Sequence, residues 1–357
     1  MTTSGENASA AFTGRERWIL LIASAWLVIG LLLDAYAHAT TPELETFWTP
    51  WHAVLYSGIG VSGLTLLWLV RPRLPTLTYQ SVLALPGALR IPLAGMALLL
   101  VGGGVDTLWH NVFGIEDGLE IFVSPSHILI ILGMSVVAAG PALMLATKPG
   151  RRLSVPDSVL VTASALLSVL PLHIFSLHAS ALGTVFLGMG NNPVDVYSPD
   201  AQMVHSYVFS TVLLLLPILI IGRRWRLPIG VPTVLVAMPA VLMHLMFMSE
   251  ESWWLALTVA DCAAGAEAVF RVGAQVVPLP AQARWIALGL IAPPLLWGAV
   301  FVVGASTIGV GWNIHMVSGV LTMVAVAGVV TVLVTRNVRA APATRTAAAD
   351  RAGVSAP

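Results

Sequence analysis

Ten apolar runs, each of roughly 20 residues, alternate with short polar segments along the chain. A helix needs about that length to cross the hydrocarbon core of a membrane, and its backbone must satisfy its own hydrogen bonds there. The sequence therefore predicts an all-α, polytopic membrane bundle of about ten transmembrane helices, arranged as five hairpins. The predicted helices are residues 17–38, 51–70, 90–110, 126–147, 157–178, 203–222, 229–249, 252–271, 283–304 and 313–335.

The composition excludes several other classes of protein. Charged residues make up 10% of the chain, whereas a soluble domain carries roughly 25%. The single cysteine, Cys262, excludes an internal disulfide and a multi-cysteine metal site. No basic stripe with interleaved aromatic residues occurs, so nucleic acid is not an expected partner. The expected surroundings are a lipid bilayer, with other membrane subunits or a second copy of the chain as further partners.

The 17 basic residues predict how the bundle is oriented. They all fall in the terminal tails, in alternate loops, or at the helix ends beside those loops. Because cytoplasmic loops are enriched in Lys and Arg, both termini of this cell-membrane protein are expected in the cytoplasm. Without the eighth helix, 252–271, Arg284 and the C-terminal tail would lie on the other side.

Four regions follow from this pattern. They are a disordered cytoplasmic lead (1–14), a membrane region with two repeated hairpins (15–150), a second membrane region of three hairpins (151–335), and a disordered cytoplasmic tail (336–357). The first apolar run could also be a cleaved signal peptide, since arginines precede it and small residues follow it. We favour an uncleaved first helix, because cleavage would remove Asp34, whose counterpart recurs later in the chain.

Histidine and acidic residues are concentrated at the opposite, extracytoplasmic ends of the predicted helices. All nine histidines lie at those ends, and Glu43, Glu45, Glu116, Asp117 and Glu120 lie in the loops between them. Such segregation at a membrane surface predicts a metal or proton site there.

Two hairpins repeat one pattern: Asp-x3-His closes the first helix, and a Pro-x-His begins the second. The residues are Asp34, His38 and His52 (the first triad) and Asp106, His110 and His127 (the second triad). Residues four apart share a helix face, so one carboxylate and two imidazoles can converge at each tip. This donor set suits Cu(II) or Zn(II) and leaves a coordination position open, as catalytic metals require. The alternative is that the Asp–His pairs only cap helix ends through hydrogen bonds.

Five further residues are candidates for a metal site or a proton path. His173, His178 and His205 could form a third site, or could be polar packing residues. His244 lies among methionines, a set that suits Cu(I) but is also common as apolar filler. Asp261 lies inside a predicted helix without a basic neighbour, which indicates either a proton path or a buried polar contact.

The D-x-x-W-H sequence at 106–110, with SPSH at 124–127, resembles a motif in one membrane-embedded subunit of the copper membrane monooxygenases. These enzymes oxidise methane, ammonia and short alkanes. TPWH at 49–52, after Asp34 and His38, looks like a second copy. The resemblance implies copper at both triads and, because that family's enzyme has two other subunits, further membrane subunits as partners.

The resemblance covers about residues 35–130, and the second half of the chain has no counterpart in it. We expect a membrane metalloprotein that binds copper, or alternatively zinc, and belongs to an O2-dependent oxidation of a small apolar substrate as a monooxygenase subunit. The other hypotheses are a metal transport or delivery protein, a zinc-dependent membrane hydrolase, and a structural subunit. The sequence does not identify the catalytic residues, the electron donor or the oligomeric state.

Overall fold

A computed structural model describes residues 12–41, 49–114, 116, 118–182, 199–247 and 252–337, with only the backbone for 199–202. These residues are mostly helical and include no strand, which confirms the all-α prediction. The helices are α1 (Gly14–Thr40), α2 (Pro50–Val70), α3 (Tyr79–Ala84), α4 (Gly87–Phe113), α5 (Glu120–Val123), α6 (Pro125–Ala138), α7 (Gly140–Ala146), α8 (Val155–Phe175), α9 (Pro199–Arg224), α10 (Val231–Phe247), α11 (Trp253–Val276), α12 (Ala281–Thr307) and α13 (Ile314–Val334).

Eight helical segments in the described part of the chain are long and apolar enough to cross a membrane. They are α1, α2, α4, the continuous α6–α7 segment, α8, α9, α12 and α13. Two predicted spans fall outside this set: α10 is apolar but has only 17 residues, and α11 carries Asp261, Glu267 and Arg271. The outer surface is itself apolar, since Leu64 and Val302 are each 69% exposed. These features indicate a multi-pass membrane protein.

The predicted disordered lead and tail lie mostly outside the described residues, which begin at 12 and end at 337. Within them, Phe12 is buried beneath the guanidinium of Arg73, and Thr13 caps α1 through hydrogen bonds shared with Glu16. The residues just before α1 are therefore packed against the end of α2 and cap the first turn of α1.

A glycine on each helix brings α1 and α2 into close contact. A Cβ atom on Gly30 would lie 2.8 Å from the Cα of Leu55, and one on Gly58 would lie 2.7 Å from the Cα of Leu27. Only glycine permits backbones to approach so closely. The α1–α2 hairpin is therefore held at a short separation near its tip.

The α4–α6 hairpin uses the same two positions. A Cβ atom on Gly102 would lie 2.8 Å from the backbone nitrogen of Ile130, and one on Gly133 would lie 2.6 Å from that of Leu99. In both hairpins the first glycine precedes the triad aspartate by four residues and the second follows the last triad histidine by six. The two hairpins are thus a repeat in their packing as well as in their polar residues.

Basic residues join helix ends at the end of the bundle opposite the triads, which we call the basic end. Arg73 pairs with Glu16 at 2.8 Å, linking the end of α2 to the start of α1. Arg224 donates to the carbonyl of Ala146 at the end of α7, and Arg223 donates to the last turn of α13. Because α6–α7 starts beside the second triad and ends here, the two regions are about 33 Å apart along that helix.

Candidate metal centre

The second triad is assembled where α4 ends and α6 begins. Asp106 is buried, and its Oδ2 lies 3.4 Å from Nε2 of His110, one turn further along α4. Its Oδ1 lies 3.2 Å from Nε2 of His127, in the first turn of α6. Both imidazoles therefore turn the same nitrogen toward one carboxylate, and the three ligand atoms lie within 4.8 Å of one another.

The other ring nitrogen of His127 fixes which tautomer the ring adopts. Nδ1 lies 2.9 Å from the backbone carbonyl oxygen of Ile121, which can only accept a hydrogen bond. A neutral imidazole has one N–H, so Nδ1 carries it and Nε2 keeps a lone pair. That lone pair faces an oxygen of Asp106, which is also an acceptor. A cation between the two atoms removes this repulsion.

His110 shows the same arrangement. Its Nδ1 lies 3.3 Å from the carbonyl oxygen of Gly114 and 3.0 Å from Oε2 of Glu116. Gly114 ends α4 with φ of 92°, a conformation that favours glycine and turns the chain back toward the ring. With Nδ1 donating to the carbonyl oxygen of Gly114, Nε2 is again the nitrogen that is left to meet Asp106.

Glu116 is held as a carboxylate beside the second triad. Burial raises its pKa, but the nearby hydroxyl of Ser124, its own backbone amide and its interactions with His110 and His127 outweigh this. The pKa of Glu116 consequently lies below its ordinary value. A carboxylate behind the ring of a ligating histidine orients that ring and increases the basicity of its other nitrogen.

A pair of serines positions the carboxylate of the second triad. The hydroxyl of Ser126, which is fully buried, donates to Oδ1 of Asp106 at 2.9 Å. Ser124 lies 2.8 Å from Ser126, so the two hydroxyls form a short chain beneath the site. These bonds restrict the rotation of Asp106 and leave Oδ2 and the second lone pair of Oδ1 directed toward the histidines.

The first triad has the same plan with looser geometry. The two oxygens of Asp34 lie 3.9 Å from Nε2 of His38 and 3.5 Å from Nε2 of His52. Nδ1 of His52 lies 3.0 Å from the hydroxyl of Thr49, the N-cap residue of α2. A hydroxyl can donate or accept, so this contact leaves both tautomers of His52 available. The side chain of His38 is 45% exposed, and this triad is the more open one.

Tyr56 lies between the two triads. Its ring stacks on that of His52 at a centroid distance of 6.0 Å, and the charges of both Asp34 and Asp106 act on its hydroxyl. Asp34 also interacts electrostatically with His127 across the hairpins. The triads are therefore neighbours at one end of the bundle, which we call the triad end.

Each triad holds three donor atoms within 4.8 Å of one another, close enough to share one metal ion. For comparison, a tetrahedral ion with bonds of about 2.0–2.2 Å holds its ligand atoms roughly 3.3–3.6 Å apart. The carboxylate–imidazole separations are 3.2 and 3.4 Å in the second triad and 3.5 and 3.9 Å in the first. The capping alternative removes the same repulsion in another way: each imidazole gains a proton at Nε2 and donates a hydrogen bond to Asp106. One divalent ion would accept the Nε2 lone pairs of both histidines. Protonation would instead place two charged imidazole rings side by side.

The remaining candidates do not join either triad. His173 is buried with Nδ1 unpartnered, whereas His178 and His205 are exposed. His244 is buried, with Nδ1 3.0 Å from the hydroxyl of Ser252. Asp261 lies on the exposed face of α11. Among the described residues, the two triads alone are groups of three or more His, Cys, Asp or Glu side chains able to share a metal ion.

Sequence reasoning did not assign roles to Glu116, Ser126 and Tyr56. Glu116 was one of several acidic loop residues, and nothing in the spacing distinguished it. The repeated Thr/Ser-Pro-x-His sequence marks the hydroxyl at each helix start, but not the one that reaches Asp106. The loop residues 42–48, together with 115 and 117, lie outside the described part of the chain. Comparison with protein-family models, curated proteins and solved structures found no match to this chain.

Proposed function

We propose that the chain is an integral membrane metalloprotein that binds copper at both triads, on the extracytoplasmic side. One observation carries this proposal: His110 and His127 use Nδ1 for acceptors of the protein and turn Nε2 toward the same buried carboxylate. Imidazole and carboxylate donors suit Cu(II), and the resemblance to the copper membrane monooxygenases favours copper over zinc.

The function we infer is participation in the O2-dependent oxidation of a small apolar molecule. Bound copper would supply the redox chemistry. Asp106 and the two histidines would hold the ion, and Ser126 and Glu116 would fix the orientation of those ligands.

The surroundings of the second triad support an apolar substrate. The ring of Phe175 lies 5.8 Å from that of His127 between centroids, and Phe122 lies 5.9 Å from Phe175. This aromatic wall would exclude water from one side of the site and contact an apolar molecule that enters from the lipid.

The test is elemental analysis, with an electron paramagnetic resonance spectrum, of the full chain purified from membranes. We expect up to two copper ions per chain, and the loss of one in the Asp106→Ala/His110→Ala variant. The matched control is His315→Ala, which removes an exposed histidine at the start of α13. A wild-type chain without copper or zinc refutes the metal site. Zinc in place of copper refutes the redox function and favours a hydrolase.

A further inference from the structure

A cavity of about 360 Å³ lies among α9, α10, α11 and α12, and no triad residue lines it. Its walls are mainly apolar, with Leu214, Ile218, Val236, Phe270 and Leu296 among the residues that line it. It extends from Trp297 in the middle of α12 to Arg151 and Arg226 at the basic end. Volume and lining are those of a ligand site between the helices of a bundle.

The polar groups that line this cavity at depth, and an ion pair nearer the basic end, already have partners within the protein. The indole N–H of Trp297 donates to the hydroxyl of Thr211 at 2.8 Å, and that hydroxyl donates to the carbonyl of Tyr207. Nearer the basic end, Glu267 accepts from Arg271 at 2.6 Å, so these two opposite charges neutralise each other, and Arg271 also donates to the carbonyl of Pro228. A polar ligand would find few free groups at depth, whereas an alkyl chain needs none.

Two arginines at the basic end hold charge that the protein does not neutralise. Arg226 is exposed, and its guanidinium has no hydrogen-bond or ion-pair partner among the described residues. Its backbone N–H donates to the carbonyl of Arg151 at 2.7 Å, which holds the two residues together. The guanidinium of Arg151 makes one long contact, 3.4 Å, to the carbonyl of Arg223. Two adjacent guanidinium groups are suited to bind a phosphate.

We propose that this cavity binds an anionic phospholipid, with its phosphate at Arg151 and Arg226 and one alkyl chain inside the cavity. The arrangement of unneutralised charge at the rim and satisfied polar groups at depth matches an amphiphile rather than a free anion or an uncharged hydrocarbon. Basic pockets between membrane helices on the cytoplasmic side bind such head groups.

The experiment measures lipid binding by the full-length chain in detergent, using native mass spectrometry. The probes are dioleoyl phosphatidylglycerol, dioleoyl phosphatidylcholine and inorganic phosphate. We expect phosphatidylglycerol to bind most tightly, and Arg226→Gln to weaken it about fivefold. Arg15→Gln is the matched control, because Arg15 is an exposed arginine at the same end that does not line the cavity.

Two further measurements test the position of the alkyl chain. Ala266→Phe adds bulk to the cavity lining and should abolish the preference for phosphatidylglycerol. Bound lipid should also slow the reaction of Cys262, which lines the cavity, with a membrane-permeant maleimide.

Three results would overturn the proposal. The first is an equal loss of phosphatidylglycerol binding in Arg226→Gln and Arg15→Gln, and the second is equal binding of the two lipids. The third is binding of inorganic phosphate but of neither lipid, unchanged by Ala266→Phe. Neither the probes nor the variants involve the triads, so the outcome is independent of the metal.

Discussion

The hairpin glycines predict that a single methyl group can disable the second triad. Gly102→Ala places a Cβ atom 2.8 Å from the backbone nitrogen of Ile130, whereas ordinary contacts begin at 3.4 Å. Backbone atoms cannot rotate away, so α4 and α6 must separate by about 0.6 Å. Gly102 is one turn from Asp106, so the separation of Asp106 from His127 should grow from 3.2 Å by a similar amount.

The expected cost follows from that displacement. The ligand atoms of a metal site must be held within about 0.5 Å of their working positions. Overpacking costs roughly 1–3 kcal/mol. If this cost applies only to the metal-bound geometry, copper affinity falls about 5- to 150-fold. The assay is competition with a chelator of known affinity, which reports the copper affinity of each triad. Gly30→Ala, with its Cβ atom 2.8 Å from Leu55, should weaken the first triad in the same way and leave the second intact.

The matched control is Gly104→Ala, on the same helix and two residues from Asp106. A Cβ atom there meets nothing within 4 Å, and alanine stabilises a helix by up to about 1 kcal/mol relative to glycine. We expect unchanged copper affinity and equal or higher thermal stability. If Gly102→Ala and Gly104→Ala bind copper equally well, close packing of the hairpin does not set the geometry of the triad, and the reasoning is wrong.

Other substitutions test the groups around the triads and the second half of the bundle. Ser126→Ala removes the donor to the second-triad carboxylate and should lower its copper affinity about 10-fold, without effect on the first triad. Glu116→Gln removes the anion beside Nδ1 of His110 and should lower the same affinity by about 10- to 100-fold, measured by the same competition; an unchanged affinity would mean that Glu116 does not support the ring. Thr211→Val leaves the buried indole N–H of Trp297 without an acceptor and should cost about 1–3 kcal/mol in a detergent unfolding titration, with copper content unchanged.

The sequence predicted helices at all ten segments, because long apolar runs admit few other structures in a membrane. It also predicted both triads, since four-residue spacing places Asp106 and His110 on one helix face whatever the rest of the chain does. The number of spans is a different matter. Apolar length and composition identify eight helices able to span a membrane among the described residues, while α10 is short and α11 carries charged residues.

The tertiary structure decided what the local pattern could not. The Gly102–Gly104 run indicated close helix packing, but only the docking of α6 shows that Gly102 makes the contact and that Gly104 faces open space. Glu116 reaches His110 because Gly114 turns the loop back, and loop direction is not encoded in hydrophobic periodicity. Spacing along one helix is set by its 3.6-residue turn, whereas contacts between helices depend on how complete surfaces fit together. The sequence alone therefore determined which residues could form each triad, and the packing of the hairpins determined where their ligand atoms meet.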